Sequence, residues 1–209
     1  MMQSSALVFV IDDDASVREG ILRWLESVGY KGEAFESATD FLARPPQADP
    51  CCVIVDVQMP GMDGVAFQRA LLKRRREEQL IFLTGHGNVP TCARVMRSGA
   101  VDFVEKPFRS EELSQSVERA LRRSTEQRRR IAQRDEARHL IDLLTPREFE
   151  VMQLVVTGML NKQVGAELGA AERTIKAHRG RVMRKLGVVS VAELVRLVQR
   201  AGVAPAGDA

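Results

Sequence analysis

CCVIVD (51–56) is a short apolar run, rich in β-branched residues, that ends directly in a carboxylate. Its length and composition predict a buried strand. Comparable runs recur in the first half of the chain at LVFVI (7–11), QLIFL (79–83) and VDFVE (101–105), with a weaker one at KGEAF (31–35). Amphipathic segments of helical length lie between them. The alternation predicts an α/β fold of the flavodoxin-like type, a doubly wound five-stranded parallel sheet with helices on both faces.

Four of these runs end in side chains that can perform chemistry. They are Asp12, Asp13 and Asp14 after LVFVI, Asp56 after CCVIV, Thr84 after QLIFL and Lys106 after VDFVE. If the first and third strands are neighbours, the carboxylates meet at one edge of the sheet, where such folds bind ligands. Clustered carboxylates resist ionisation unless a cation offsets their charge. Mg²⁺, which prefers hard oxygen ligands, suits this predicted site.

Each of these residues also has an ordinary structural interpretation. Acidic residues after strands commonly form turns, and a lone Lys-Pro pair is common in loops. Their coincidence at four strand ends favours phosphoryl transfer with Asp56 as the nucleophile. Mg²⁺ and Lys106 would offset charge on the phosphoryl oxygens, and Thr84 would donate a hydrogen bond to them.

The second half of the chain differs from the first in charge and in pattern. Residues 1–120 hold 14 Lys and Arg against 18 Asp and Glu, whereas residues 121–209 hold 17 against 10. A basic half joined to an acidic half favours nucleic-acid binding, although an ordinary fluctuation of surface charge explains the counts equally well. Residues 111–140 contain no Gly or Pro and predict one helix, whose Arg- and Glu-rich part, 122–138, is expected to be solvated.

Four short helices are predicted after this segment. Thr145, Pro146 and Glu148 form a capping-box pattern for the first. Gly158, Gly169 and Gly187 mark the later boundaries, and Ser190 begins the last helix. No strand is predicted here.

The motifs VIDDD (10–14), VDVQMPGMDG (55–64), FLTGHGNVP (82–90) and VDFVEKPF (101–108) resemble the receiver domain of response regulators of the FixJ/NarL type. The resemblance covers about residues 5–121. It implies that Asp56 is the phospho-acceptor and an Mg²⁺ ligand. The other implied ligands are Asp13 directly, Asp12 mainly through water, and Gln58 through its backbone carbonyl.

The same resemblance assigns residues around the phosphate. Thr84 and Phe103 look like the switch pair and Lys106 like the phosphate-contacting lysine, with a cis bond to Pro107. Asp14 receives no role, and His86 is interpreted as a loop residue. The surface of 89–98, 101–105 and 110–121 is expected to dimerise, with charges such as Asp102 and Arg119 pairing about a twofold axis.

The motifs LTPRE (144–148), NK (161–162), ERTIKAHR (172–179) and RKL (184–186) resemble the LuxR/FixJ-type four-helix helix-turn-helix. The resemblance covers about 141–202 and makes 161–168 the support helix and 172–186 the recognition helix, with an apolar face of Ile175, Val182 and Leu186. The predicted DNA-binding residues are Lys176, Ala177, Arg179, Gly180, Arg181 and Arg184. Two departures are Ala171, where the family often has a capping Ser, and Gly180, which offers no side chain for base readout.

Together these interpretations predict a receiver domain over 1–121, a helical linker over 122–140, a DNA-binding domain over 141–204 and a disordered tail over 205–209. The expected function is a two-component response regulator, not a turnover enzyme, that a sensor histidine kinase phosphorylates. Phosphorylation would promote a homodimer on promoter DNA, with RNA polymerase as a further partner. Without an 18-residue apolar run, a secretory pattern or a cysteine framework, no membrane contact is expected and the cytoplasm is the expected location.

Two alternatives remain open at this point. A phosphatase of the haloacid dehalogenase type needs an Asp-x-Asp motif after the first strand, which Asp12 and Asp14 formally provide. A phosphorylation-independent regulator would use the receiver only for dimerisation. The sequence also leaves open whether phosphorylation acts through dimerisation or by relieving masking of the DNA-binding domain.

Overall fold

The structure is a computed structural model that describes residues 6–85 and 89–206. Its contacts divide the chain into two compact units, one ending at Arg128 and the other beginning at Arg129. Among the described residues, no helix is both long enough and apolar enough to cross a membrane.

A parallel sheet forms the centre of the first unit. In the described part of the chain it has five strands, in the order β2-β1-β3-β4-β5. They are β1 (Leu7–Ile11), β2 (Lys31–Phe35), β3 (Cys51–Asp56), β4 (Gln79–Thr84) and β5 (Asp102–Glu105). Every residue of β3 is buried, which explains why its sequence is continuously apolar instead of alternating. The predicted fold class is confirmed.

Helices cover both faces of this sheet. They are α1 (Ala15–Ser27), α2 (Ala38–Ala43), α3 (Gly64–Lys73), α4 (Val89–Arg97) and the first part of α5 (Ser110–Asp142). One face carries a core cluster that includes four buried phenylalanines, Phe9, Phe41, Phe67 and Phe82. The other packs aliphatic residues such as Ile54, Leu25 and Leu113. The strands therefore lie between two close-packed layers of buried side chains.

Helix α5 runs without interruption through the range predicted as a linker. Near its middle, the Ser124 hydroxyl accepts a hydrogen bond from the Cys51 backbone N–H at 3.1 Å, and Arg128 donates to the Gln47 carbonyl. Farther along, Ala137 is buried in the core of the second unit. Most residues of the predicted solvated segment over 122–138 are exposed, but Ser124 and Ala137 are buried. Where the functional domains end remains a prediction.

Four helices make up most of the second unit: α6 (Pro146–Val155), α7 (Asn161–Glu167), α8 (Glu172–Lys185) and α9 (Val191–Ala201). The capping box is confirmed, since the Thr145 hydroxyl accepts from the Glu148 N–H at 3.3 Å and the Glu148 carboxylate accepts from the Thr145 N–H at 3.0 Å. Helix α9 begins after its cap, Ser190, as predicted.

The chain after α9 folds back against α6. Ala206 packs against the core of the second unit, and the Gln153 side chain donates to the Ala204 carbonyl at 3.3 Å. The prediction of a disordered tail over 205–209 stays a prediction. The rest of the predicted tail, 207–209, lies outside the described residues.

Candidate functional site

The carboxyl end of the sheet brings three carboxylates together. Strands β1 and β3 are paired so that Ile11 lies beside Val55, and the residues that follow them are Asp12 and Asp56. Oxygens of Asp12, Asp13 and Asp56 all lie within 4.8 Å of one another. Asp12 is 1% exposed and Asp56 8% exposed, whereas Asp13 is open to solvent. The predicted acidic residues thus form one pocket with an open side.

Lys106, the residue directly after β5, lies at the edge of this pocket. Its ammonium donates to Asp12 Oδ2 at 2.6 Å and to Asp56 Oδ2 at 2.8 Å. Burial alone would lower the pKa of Lys106, but hydrogen bonds to the two carboxylates outweigh burial and raise it. Burial also raises the pKa of Asp12, because it outweighs the opposing hydrogen bond from Lys106. One ammonium therefore bridges the two buried carboxylates.

The segment after β1 is held by contacts that the sequence analysis did not assign. The Asp14 N–H donates to Asp12 Oδ1 at 3.0 Å, and Arg18 donates to the Asp12 carbonyl at 2.7 Å. Asp14 itself caps α1, accepting from the Ser16 hydroxyl at 2.6 Å and the Ser16 N–H at 2.8 Å. These hydrogen bonds lower the pKa of Asp14. The capping role could have been read from an acidic residue directly before a helix.

The loop after β3 holds Asp56 from the other side. The Gln58 N–H donates to Asp56 Oδ1 at 3.1 Å. A Cβ on Gly64 would lie 2.5 Å from the Asp56 carbonyl oxygen, so this position accepts only glycine without moving the backbone. Gly64 was missed because its requirement comes from a contact with Asp56, eight residues away. The assignment of the Gln58 carbonyl as a ligand stays a prediction.

The predicted switch pair lies on one face of the sheet. Phe103 pairs with Phe82 and Glu105 with Thr84, which puts Thr84 and Phe103 on the same face of adjacent strands, two positions apart. Thr84 is buried, and Phe103 is half-buried against the phenylalanine layer. The Lys106–Pro107 bond is cis, as the resemblance implies. His86 lies outside the described residues.

The pocket's donors fit a small divalent cation. Carboxylate oxygens are hard ligands, and the exposed Asp13 leaves room for the waters that Mg²⁺ retains. Asp12, Asp13 and Asp56 are the described groups that could hold such an ion. Their mutual repulsion, which Lys106 offsets only in part, gives a cation a physical reason to bind here.

In the second unit, one face of α8 is buried and the opposite face is exposed to solvent. Ile175, Val182 and Leu186 are buried, which confirms the predicted apolar face. Five of the six predicted DNA-binding residues are exposed: Lys176, Ala177, Gly180, Arg181 and Arg184. The sixth, Arg179, is half-buried and donates to Asn161 Oδ1 on α7 at 3.2 Å. Ala171 makes no side-chain cap, as expected.

The last turn of α8 is fixed by a contact that the sequence analysis missed. Lys185 donates to Glu148 Oε2 at 2.7 Å and to the Leu143 carbonyl at 3.1 Å. The Glu148 side chain is only 4% exposed. The hydrogen bond from Lys185 is the largest cause that lowers the pKa of Glu148 to about 2. Glu148 therefore joins the start of α6 to the end of α8, although the sequence indicated only its part in the capping box.

Comparisons with known proteins agree with both halves of this description. Residues 8–118 match the family described as response regulator receiver domain, and residues 142–198 match the family described as bacterial regulatory proteins, luxR family. Nodulation protein W of Bradyrhizobium diazoefficiens is 43% identical over 96% of this chain and 88% of its own length. Transcriptional regulatory protein FixJ of Azorhizobium caulinodans is 40% identical over 100% of this chain and 99% of its own.

Solved structures extend the likeness to the fold. The response regulator StyR, 41% identical, matches with a TM-score of 0.80 over 93% of this chain and 98% of its own. Full-length FixJ from B. japonicum, 34% identical, matches with a TM-score of 0.56 over 97% of this chain and 98% of its own. These likenesses speak against a metabolic phosphatase and imply a histidine kinase and DNA as partners. The chain belongs to the response regulators of two-component systems, with a receiver domain followed by a LuxR-type DNA-binding domain.

Proposed function

We propose that a partner histidine kinase phosphorylates Asp56, and that this modification promotes dimerisation and binding to promoter DNA. The observation that supports the acceptor most strongly is the bridging ammonium of Lys106, which contacts Asp12 and Asp56 together. It gives Asp56 a positively charged partner that can bind a phosphoryl oxygen once the acceptor carboxylate is phosphorylated. Asp13 lies beside it on the open side of the pocket.

The chemistry is phosphoryl transfer from histidine to carboxylate. An oxygen of Asp56 forms a bond to phosphorus while the bond between phosphorus and the kinase imidazole nitrogen breaks, and the imidazole takes up a proton. Asp12, Asp13, Asp56 and the carbonyl of Gln58 would hold Mg²⁺, which would offset charge on the phosphoryl oxygens. Lys106 contributes a second positive charge, and the hydroxyl of Thr84 donates a hydrogen bond. The chain then loses the phosphate by hydrolysis and does not turn over an external substrate.

Phosphate on Asp56 is expected to draw Thr84 toward it, which leaves space for Phe103 to turn inward. The surface of α4, β5 and the first turns of α5 then changes and pairs with a second copy. A dimer suits DNA recognition because each four-helix module reads one half-site, and joining two raises the effective concentration of the second. Lys176, Ala177 and Gly180 would face base edges, with Arg179, Arg181 and Arg184 near phosphates.

The protein acts where promoter DNA is, in the cytoplasm, and RNA polymerase is the expected downstream partner. The charge of α8 supports the assignment of DNA binding to this helix. Three exposed basic residues of α8, Lys176, Arg181 and Arg184, lie away from its buried face. Such side chains displace counterions from phosphates and supply sequence-independent affinity.

The test of the acceptor uses a small-molecule phosphodonor with Mg²⁺ and mass spectrometry of the full chain. Wild type should gain one phosphoryl group, located on Asp56, and Asp56→Asn should gain none. Asp14→Asn is the matched control, since Asp14 is an exposed carboxylate that caps α1 two residues from Asp12. Labelling of Asp56→Asn to the wild-type extent would overturn the assignment.

A further inference from the structure

Asp102, the first residue of β5, hydrogen-bonds in two directions at once. Its Oδ1 accepts from the N–H of Phe103, the next residue, at 3.0 Å. Its Oδ2 accepts from the hydroxyl of Ser116 and from the guanidinium of Arg119, both on α5. Arg119 also donates to the Ser116 hydroxyl oxygen at 3.1 Å, which closes the set. We call Asp102, Ser116 and Arg119 the Asp102 bridge.

The expectation that Asp102 and Arg119 pair with a second copy about a twofold axis stays a prediction. In this structure the two charges pair within one chain. Ser116 is fully buried, whereas the Arg119 side chain is 47% exposed. An ion pair that open to water adds little stability. Its importance is therefore geometric, because it fixes where α5 lies against the start of β5.

We propose that Asp102 is a positioning residue that couples the conformation of Phe103 to helix α5. This inference rests on the proposed function, in which Phe103 turns inward after Asp56 is phosphorylated. One carboxylate binds both the backbone of Phe103 and the side chains of α5. A change at Phe103 therefore alters the orientation of that carboxylate, and Ser116 and Arg119 must follow it or lose their acceptor.

Helix α5 is suited to receive this change. It continues as one helix from Ser110 to Asp142, and its later residues Ala137 and Ile141 belong to the core of the DNA-binding unit. Asp102 lies at the amino end of β5, away from Lys106. A substitution of Asp102 can therefore leave the phosphorylation chemistry intact while it changes the response of the helix.

The experiment measures DNA affinity of the full chain with and without phosphodonor, and takes the ratio of the two as the coupling. The probe is the fragment that phosphorylated wild type enriches most from sheared genomic DNA. Asp102→Ala should accept phosphate within twofold of the wild-type rate, while its coupling falls at least fivefold. Glu26→Ala, which removes an exposed carboxylate from α1, outside the proposed dimerisation surface, should keep the wild-type coupling.

A second comparison separates coupling from loss of fold. Arg119→Ala should also lower the coupling, and Asp102→Ala combined with Arg119→Ala should be no worse than Asp102→Ala alone, since both changes break the same bridge. Wild-type coupling in Asp102→Ala would overturn this inference while the proposed function stands. Equal DNA affinities of wild type with and without phosphodonor, a coupling ratio of one, would overturn the proposed function. Failure of Asp102→Ala to accept phosphate would also overturn the inference, because it would place Asp102 in the chemistry.

Discussion

The acidic pocket and helix α8 position their functional residues in opposite ways. Asp12, Asp56 and Thr84 are buried, and hydrogen bonds from Lys106 and from backbone N–H groups fix the two carboxylates. The predicted DNA-binding face of α8 is mostly exposed, and the helix is held by buried residues on its opposite face and by Lys185 at its end. Phosphoryl transfer needs several groups fixed relative to one another, whereas DNA binding needs side chains that are free to reach another molecule. Substitutions in the pocket should therefore have large effects, and those on α8 graded ones.

The largest effect is expected at Lys106. Lys106→Met removes the ammonium that bridges Asp12 and Asp56, and with it a fixed charge for the developing phosphoryl oxygens. The rate of labelling by a small phosphodonor should fall about a hundredfold. Lys31→Met, at an exposed position on β2, is the control and should label at the wild-type rate. A Lys106→Met protein that labels as fast as this control would show that the bridge has no part in transfer.

The next effect concerns the support of α8. Glu148→Gln keeps the capping box, which Gln also forms, but removes the charge paired with Lys185. The substitution should lower the free energy of unfolding of the second unit by about 2 kcal/mol. This is less than the full change in the pKa of Glu148 implies, because the Lys185 side chain is 37% exposed and water screens the ion pair. Hydrogen exchange of α6 and α8 amides in the full chain measures it. Glu150→Gln, at an exposed residue of the same helix, should change little.

The same residue predicts a pH dependence. The folded-state pKa of Glu148, about 2, lies below its ordinary value of 4.5. Its contribution to the free energy of unfolding is therefore complete above pH 4.5 and is lost as pH falls toward 2. Protection of α6 and α8 should decline over this window in wild type and less in Glu148→Gln. Equal declines in the two proteins would contradict the assignment.

Direct contact with DNA should give a smaller change than the pocket does. Lys176→Ala should weaken DNA binding about tenfold and leave labelling of Asp56 at the wild-type rate. Lys162→Ala, an exposed lysine at the start of α7, provides the comparison at the support helix and should weaken binding less. Equal losses for the two variants would mean that α8 contributes only general charge.

The parts that the sequence predicted are those that depend on one strand or one helix at a time. Asp12, Asp56, Thr84 and Lys106 each follow an apolar run, and a parallel sheet necessarily brings such ends to one edge. The buried face of α8 follows equally from helical spacing. Local pattern was sufficient in both cases, because backbone geometry fixes the direction of each side chain.

The parts that were missed depend on contacts between elements. Lys185 and Glu148 are 37 residues apart, and nothing in either local pattern indicates that they meet. An Arg-rich helix looks the same in sequence whether it is solvated or hydrogen-bonded to carbonyls, so Arg128 was taken for a solvated residue. Asp102 and Arg119 were recognised as surface charges, but only the packing of β5 on α5 shows that they pair within the chain.

The smallest effect is expected at the start of α8. Ala171 makes no side-chain cap, so Ala171→Ser should accept a hydrogen bond from the first turn and stabilise the helix by about 1 kcal/mol. Amide protection at Thr174 and Ile175 measures the gain. Leu160→Ser offers a matched case at the start of α7, where the side chain of Leu160 likewise makes no cap hydrogen bond. Unchanged protection in Ala171→Ser would mean that packing alone holds the start of α8.

Genome-wide DNA binding by wild type and by Asp56→Asn, in cells where the kinase is active, tests most directly whether the pocket controls the helix. The account predicts that occupancy of the wild-type sites falls at least tenfold in Asp56→Asn while the amount of folded protein is unchanged. The same sites bound to the same extent by both proteins would contradict it, and would identify a regulator that binds DNA independently of phosphorylation.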